Sequence, residues 1–204
     1  MRVHYVLLVL VILSFELTTA AQTEPVTIPT EVKPFVTPGM VPIALKTGDL
    51  NGDGTKDFIL VLDKPFDDKA QYDEAGESER PALILIRDAS GKLSLAAQND
   101  LAVYCRACGG VLGDPFARLV IPGTFFTIDN YGGSSDRWTE ESTFAYSRRD
   151  RQWQLTRIEE TAFNTFTPTK VCKWVYTRPK TSALSASPTS TLRTLKERES
   201  DNIP

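Results

Sequence analysis

The chain has 204 residues, with 23 Lys and Arg against 26 Asp and Glu, for a formal charge of −3. So mild an acidity gives no footing for nucleic acid or an anionic membrane surface as partner. Its single histidine, His4, lies in a leader-like segment, so the mature chain is expected to lack Ser-His-Asp and Cys-His catalysis and any imidazole zinc site. Hydrolysis by paired carboxylates stays open.

In chain order, Arg2, the apolar run over 5–15 and the small residues at 18–21 form the pattern of a secretory signal peptide over 1–21, cut after Ala20 or Ala21. The apolar run is shorter than the roughly 20 residues a membrane span needs. No cysteine marks a lipoprotein anchor at the cut. Export to the periplasm or beyond is predicted, and loss of Arg2 and Glu16 keeps the charge at −3. The remaining length suits one domain with a core of its own.

Residues 22–40 carry Pro25, Pro29, Pro34 and Pro38, which favour an extended lead-in, with Phe35, Val36 and Met40 packing on the domain edge. A β-rich calcium-binding domain is expected over 41–177. Strands are predicted at 43–46, 58–62, 82–87, 93–97, 101–104, 117–121, 124–129, 142–147, 152–157 and 173–176. Asp88-Ala89-Ser90-Gly91 and Pro122-Gly123 read as hairpin turns. With no long 3.6-period segment between them, these runs predict antiparallel β in a sandwich or curled sheet. Residues 63–81 are polar, a loop or a short helix. The Ser/Thr/Pro-rich tail over 178–204 is expected to be disordered.

The strongest chemical signal is Asp49-Leu50-Asn51-Gly52-Asp53-Gly54-Thr55-Lys56-Asp57. Asp49, Asn51, Asp53 and Asp57 place side-chain oxygens at positions 1, 3, 5 and 9, and Thr55 offers its carbonyl at position 7. Calcium takes six to eight oxygens at roughly 2.3–2.6 Å, and Gly54 stands where such loops bend sharply. Position 12 is Leu60 rather than a bidentate glutamate, and the next residues read as a strand, so the loop lies between strands rather than helices. Magnesium, with its stricter octahedron, suits it less. The alternative is an acidic β-turn without metal.

Residues 48–62 (GDLNGDGTKDFILVL) resemble the FG-GAP or VCBS-type calcium loop of integrin-like propeller blades. The loop occurs once, so a full propeller is not expected. A wider resemblance, over roughly 35–176, is to small exported bacterial proteins with a single loop of this kind. It rests on 36–62, on Gly109-Gly110-Val111-Leu112-Gly113-Asp114-Pro115-Phe116, and on Tyr131-Gly132-Gly133-Ser134-Ser135 leading through Trp138 to Thr143-Phe144-Ala145-Tyr146 and Trp153-Gln154-Leu155. The resemblance implies the β fold and bound Ca2+, and assigns no activity.

Cys105-Arg106-Ala107-Cys108 reads as a local disulfide in an oxidising compartment, since Gly109-Gly110 is a poor helix start for a redox motif. Pairing of Cys172 with either member is the alternative. Tyr131, Ser134, Ser135, Arg137 and Trp138 form a candidate binding loop at a strand-to-strand turn, the alternative being a Gly/Ser turn with Trp138 in the core. Glu140-Glu141 and Glu159-Glu160 are neighbours that point to opposite sides of a strand, so a dyad would have to form between strands. Three functions are compatible with these features. The first is a calcium-stabilised structural or binding module with an envelope protein or glycan as partner. The second is an inhibitor or immunity-type protein acting through the 131–138 loop. The third is a histidine-free carboxylate hydrolase.

Overall fold

Residues 57–63 (DFILVLD) and 80–87 (RPALILIR) are nearly unbroken apolar runs, the pattern of strands covered on both faces. The computed structural model, which describes residues 26–65, 79–167 and 171–177, places them at the centre of an antiparallel sheet. Its order is β1 (Val41–Gly48), β2 (Asp57–Asp63), β3 (Arg80–Arg87), β4 (Leu93–Val103). A second antiparallel sheet follows in chain order: β5 (Phe116–Val120), β6 (Phe125–Gly133), β7 (Asp136–Ser147), β8 (Gln152–Asn164) and β9 (Val171–Thr177). The expected antiparallel β architecture is therefore the observed one, as two packed sheets.

Strand alternation assigns the faces. Ile59, Val61, Ala82 and Ile84 of the first sheet meet Leu119, Phe126, Ile128 and Phe144 of the second in the main core. Phe58, Leu60, Leu62, Leu83 and Leu85 point the other way and are covered by Val32, Phe35, Val36 and Met40. The lead-in was expected to be extended, and here the structure differs. Residues Lys33–Phe35 form a single 3₁₀ turn, and Val32 is fully buried. Pro34 lies in the first turn, where its fixed φ is compatible with helix and its missing N–H costs nothing.

Two predicted strands, 93–97 and 101–104, are one: β4 runs on through Gln98-Asn99-Asp100, its pairing with β3 shifting between Ile84 and Leu85 and between Arg80 and Ala82. β6, β7 and β8 extend beyond the predicted runs because they go on pairing with one another through residues 130–133, 136–141 and 158–164. The 88–91 and 122–123 turns join β3 to β4 and β5 to β6. The predicted signal peptide, most of the 63–81 segment and the tail lie outside the described residues. Among the described residues, no helix is long and apolar enough to cross a membrane.

Candidate functional site

The Asp49–Asp57 loop links β1 to β2, closed at its base by the Gly48–Asp57 pair. It folds around Asp49. The Oδ1 of that carboxylate accepts the N–H groups of Gly52 (2.7 Å) and Asp53 (3.1 Å), and its Oδ2 accepts that of Gly54 (3.0 Å). Gly54 has φ +88°, a conformation side-chain-bearing residues rarely adopt. The loop is also tied to the second sheet: Trp153 Nε1 donates to the Leu50 carbonyl (3.1 Å) and Arg148 donates to that of Gly52 (2.9 Å). Leu50 itself is fully buried in the main core.

Asp57 is also fully buried. Its Oδ2 accepts the Leu50 N–H and its Oδ1 the Arg87 N–H, both at 3.0 Å, so one carboxylate bridges the loop and β3. Burial pushes its carboxyl up from the usual aspartate range, against those two N–H bonds, and the charges of Asp53 and Asp49 add to the rise. At the rim, the Asn51 amide donates to Asp53 Oδ2 (2.8 Å), and Asp53 Oδ1 takes the Thr55 N–H (2.7 Å) and the Thr55 hydroxyl. These bonds hold the Asp53 carboxyl below its usual range, the hydroxyl contributing most. The predicted ligands thus line one loop, yet among the described residues no three His, Cys, Asp or Glu side chains stand grouped to hold a metal. The donor set nevertheless suits a hard cation, being all oxygen, and each carboxylate has lone pairs beyond those used here.

The candidate binding loop is the β6–β7 hairpin, with Ser134 and Ser135 exposed at its tip. It is held from both sides. Tyr131 and Gly133 donate backbone bonds to Pro115 (2.8 Å) and Gly109 (2.8 Å), and the Ser135 carbonyl accepts from Thr165 (2.8 Å). The five predicted residues are not brought to one surface, because alternation divides them. Arg137 lies over the Tyr131 ring (5.8 Å) on one face, while Trp138 turns to the other and meets Tyr104 edge-on (5.8 Å). Gly132 is needed beside it, since a Cβ there would come within 2.5 Å of the indole.

The Cys105–Cys108 disulfide forms as predicted, and Cys172 is free and exposed. Next to it lies a cluster that the sequence reading missed. Arg80 is fully buried, with Nε and Nη2 on Asp63 Oδ2 (3.0 and 2.7 Å), Nη1 on the Tyr104 carbonyl (3.0 Å), and a two-bond fork on Asp114 (2.7 and 2.6 Å). Arg106 reaches the same Asp63 oxygen (2.6 Å). This network fastens the disulfide loop and the 109–115 segment to the first sheet. The closed loop is so short that reducing the disulfide should cost about 2 kcal/mol. Urea unfolding with and without reductant checks this, and a loss well beyond that figure would mean the bridge also holds the Arg106 contact.

The structure also settles the glutamate pairs. Glu140 stands directly opposite Glu160 across β7 and β8, with Asn130 of β6 opposite Glu140 and Trp174 of β9 opposite Glu160. Glu141 and Glu159 face the other way, into an ionic ladder with Arg157 and Lys173.

No protein-family model matches the chain, and no curated protein matches it. Among solved structures the chain is similar to one described as "Structure of a Xanthomonas Type IV Secretion System related protein", at 12% sequence identity and a TM-score of 0.37. The match covers 70% of this chain and spans 57% of the length of that one. A likeness that distant carries no argument about function.

A signal for the arginine network was present in the sequence. Asp63 and Arg80 are charges set at the ends of fully apolar runs, where a buried partner is the usual explanation. Their pairing across a 17-residue separation had no local mark.

Proposed function

We propose that this chain is an exported calcium-binding protein of the cell envelope that works as a binding module rather than as a catalyst. The observation that carries the reading is Asp49, whose carboxylate gathers the N–H groups of Gly52, Asp53 and Gly54 and so wraps an all-oxygen loop around itself. Calcium would be held by the side chains of Asp49, Asn51, Asp53 and Asp57 with the Thr55 carbonyl, the Asn51–Asp53 bond giving way to the ion. A cation there would offset the repulsion of three carboxylates and stiffen the junction that Trp153 and Arg148 make with the second sheet.

Calorimetric titration of the chelator-stripped chain, without residues 1–21, tests it. One-site binding is expected, with about 2.7 kcal/mol of added stability once calcium exceeds Kd a hundredfold. Absence of heat and of any melting shift at millimolar calcium would leave only an acidic turn. Export is checked separately: the N-terminus of protein from an exporting host should begin at Ala21 or Gln22.

A second reading, an inhibitor or immunity-type protein, is favoured by the β6–β7 hairpin. Its tip is narrow, carries small hydroxyl residues and is held in place by the 109–115 segment and by Thr165. Such a preorganised convex loop loses little entropy on entering an enzyme cleft. Titration against cell-wall hydrolases should then give inhibition that the Ser134→Lys, Ser135→Lys double variant loses. Failure to inhibit any of them, with no toxin or hydrolase gene nearby, would remove this reading.

A further inference from the structure

The pairing of β4 with β3 is irregular at two places. Ile84 faces Ala97 but Leu85 faces Leu95, which leaves Ala96 as an extra residue. Between the Arg80–Val103 and Ala82–Asn99 pairs, Pro81 alone stands against residues 100–102. Proline has no N–H to give to a ladder, so within a sheet it belongs opposite such a bulge or at an edge. Side-chain bonds fix the bulge: Asn99 Oδ1 accepts the Leu101 N–H (2.9 Å), and the Gln98 amide donates to Asp100 Oδ1 (2.7 Å). Bulges bend the strand that carries them. Here the bulged strand borders a cleft of about 360 Å³ between the two sheets.

The cleft reaches the main core. Its first-sheet wall includes Ala82, Ala97 and Ala102, and its second-sheet wall includes Trp153 and the stacked rings of Phe126 and Phe144, 5.0 Å apart at 12°. Protein interiors are close-packed, and three short alanines opposite these rings leave space that longer aliphatic side chains would fill. The wall is also preformed, because the Trp153 indole is held by its N–H bond to the Leu50 carbonyl (3.1 Å). The rim is polar and of one sign. Glu79 and Asp100 stand there beside the amides of Gln98, Asn99 and Gln152, and no Lys or Arg lines the cleft among the described residues.

From this arrangement we infer that the cleft binds one small aromatic amine, its ring against Phe126, Phe144 and Trp153 and its ammonium at the rim against Asp100 and Glu79. Size sets the first part: pockets for small molecules run from about 300 to 1,000 Å³, so this one takes a molecule of one or two rings. Aromatic side chains pack best on another ring, offset or edge-on, which favours an aromatic body over an alkyl one. Charge sets the second part. An acid would bring another negative charge to a rim that carries two carboxylates, whereas an ammonium complements them. Glu79 is exposed and Asp100 half-buried, so their attraction is screened and selects the head group rather than supplying the affinity. The inference stands apart from calcium, because no residue of the 49–57 loop lines the cleft.

Three probes that share one ring and differ in charge test it: 2-phenylethylamine, 2-phenylethanol and phenylacetate. Protein purified from an exporting host is titrated with each by calorimetry at low salt, where a rim charge acts most strongly. Saturable one-site binding of the amine is expected, tighter than that of the alcohol by about threefold, the scale of a solvent-exposed ion pair. Phenylacetate should bind more weakly than either. Ala97→Leu fills the cleft from a half-buried position, so it should abolish amine binding while melting no lower than wild type. Asp100→Asn leaves the space open and removes one rim charge, so it should keep ring binding and reduce the preference for the amine over the alcohol. No saturable binding of the amine, equal binding of phenylacetate, full binding by a folded Ala97→Leu variant, or an undiminished amine preference in Asp100→Asn would overturn the inference.

Discussion

Arg80→Ala is expected to destabilise the protein by about 3–5 kcal/mol, the range for removing one partner of a buried ion pair. The guanidinium is fully buried and bonds Asp63, Asp114 and the Tyr104 carbonyl together. Without it, Asp63, 2% exposed at its side chain, keeps only its bonds to the more exposed Arg106 and the Lys64 N–H among those seen here. Asp114 is 42% exposed at its side chain and can be resolvated, so its share of the loss is screened. Whole domains are stable by about 5–15 kcal/mol, so the variant should sit near the limit of folding. Urea unfolding measures it, and a loss below about 1 kcal/mol would show the network to be dispensable. Lys at position 80 should recover little, because a point charge cannot fork to two carboxylates.

The second large effect is at Asp57 and separates architecture from metal. Asp57→Ala leaves the buried Leu50 N–H without its acceptor, at about 1–3 kcal/mol, and the half-buried Arg87 N–H without its acceptor at a smaller cost. That loss should already appear in chelator, and in calcium the lost response to the ion should add to it. Asp53→Ala is the contrasting variant: Asp53 is exposed and its bonds stay within the loop, so stability in chelator should change by no more than about 0.5 kcal/mol. Its effect should instead be the loss of the calcium response. If Asp53→Ala kept the full calcium-induced rise in melting temperature, the ion would not be in this loop.

Asp57 also sets a pH dependence. Its folded carboxyl is raised, so over the window above the ordinary aspartate value the folded state holds a proton that the unfolded chain has released. Stability from this group is then greatest at low pH and falls as pH rises through that window. In chelator, Asp57→Asn should remove this part of the slope, seen as a flatter stability–pH curve than wild type. An unchanged slope would mean that Asp57 folds with its ordinary acidity.

Much of the fold was legible because sheets are built from nearest neighbours. β1 with β2, β3 with β4 and β6 with β7 are hairpins whose alternation and turn residues are local, and the short disulfide is local too. Errors arose where burial was decided from elsewhere. Polar residues 98–100 looked like a break, but pairing with β3 carries the strand through them. Whether Trp138 shares a surface with Tyr131 or turns inward was open in the sequence, and the hairpin register puts the two on opposite faces.

By itself the sequence determined the antiparallel β class, the oxygen-rich loop at 49–57 and the local cysteine pair, because each depends on residues within a few positions of one another. The tertiary structure alone decided that Arg80 joins Asp63 to Asp114, and that Asn130, Glu140, Glu160 and Trp174 form one row. Both depend on register between strands, and a slip of one residue would turn every one of those side chains to the other face.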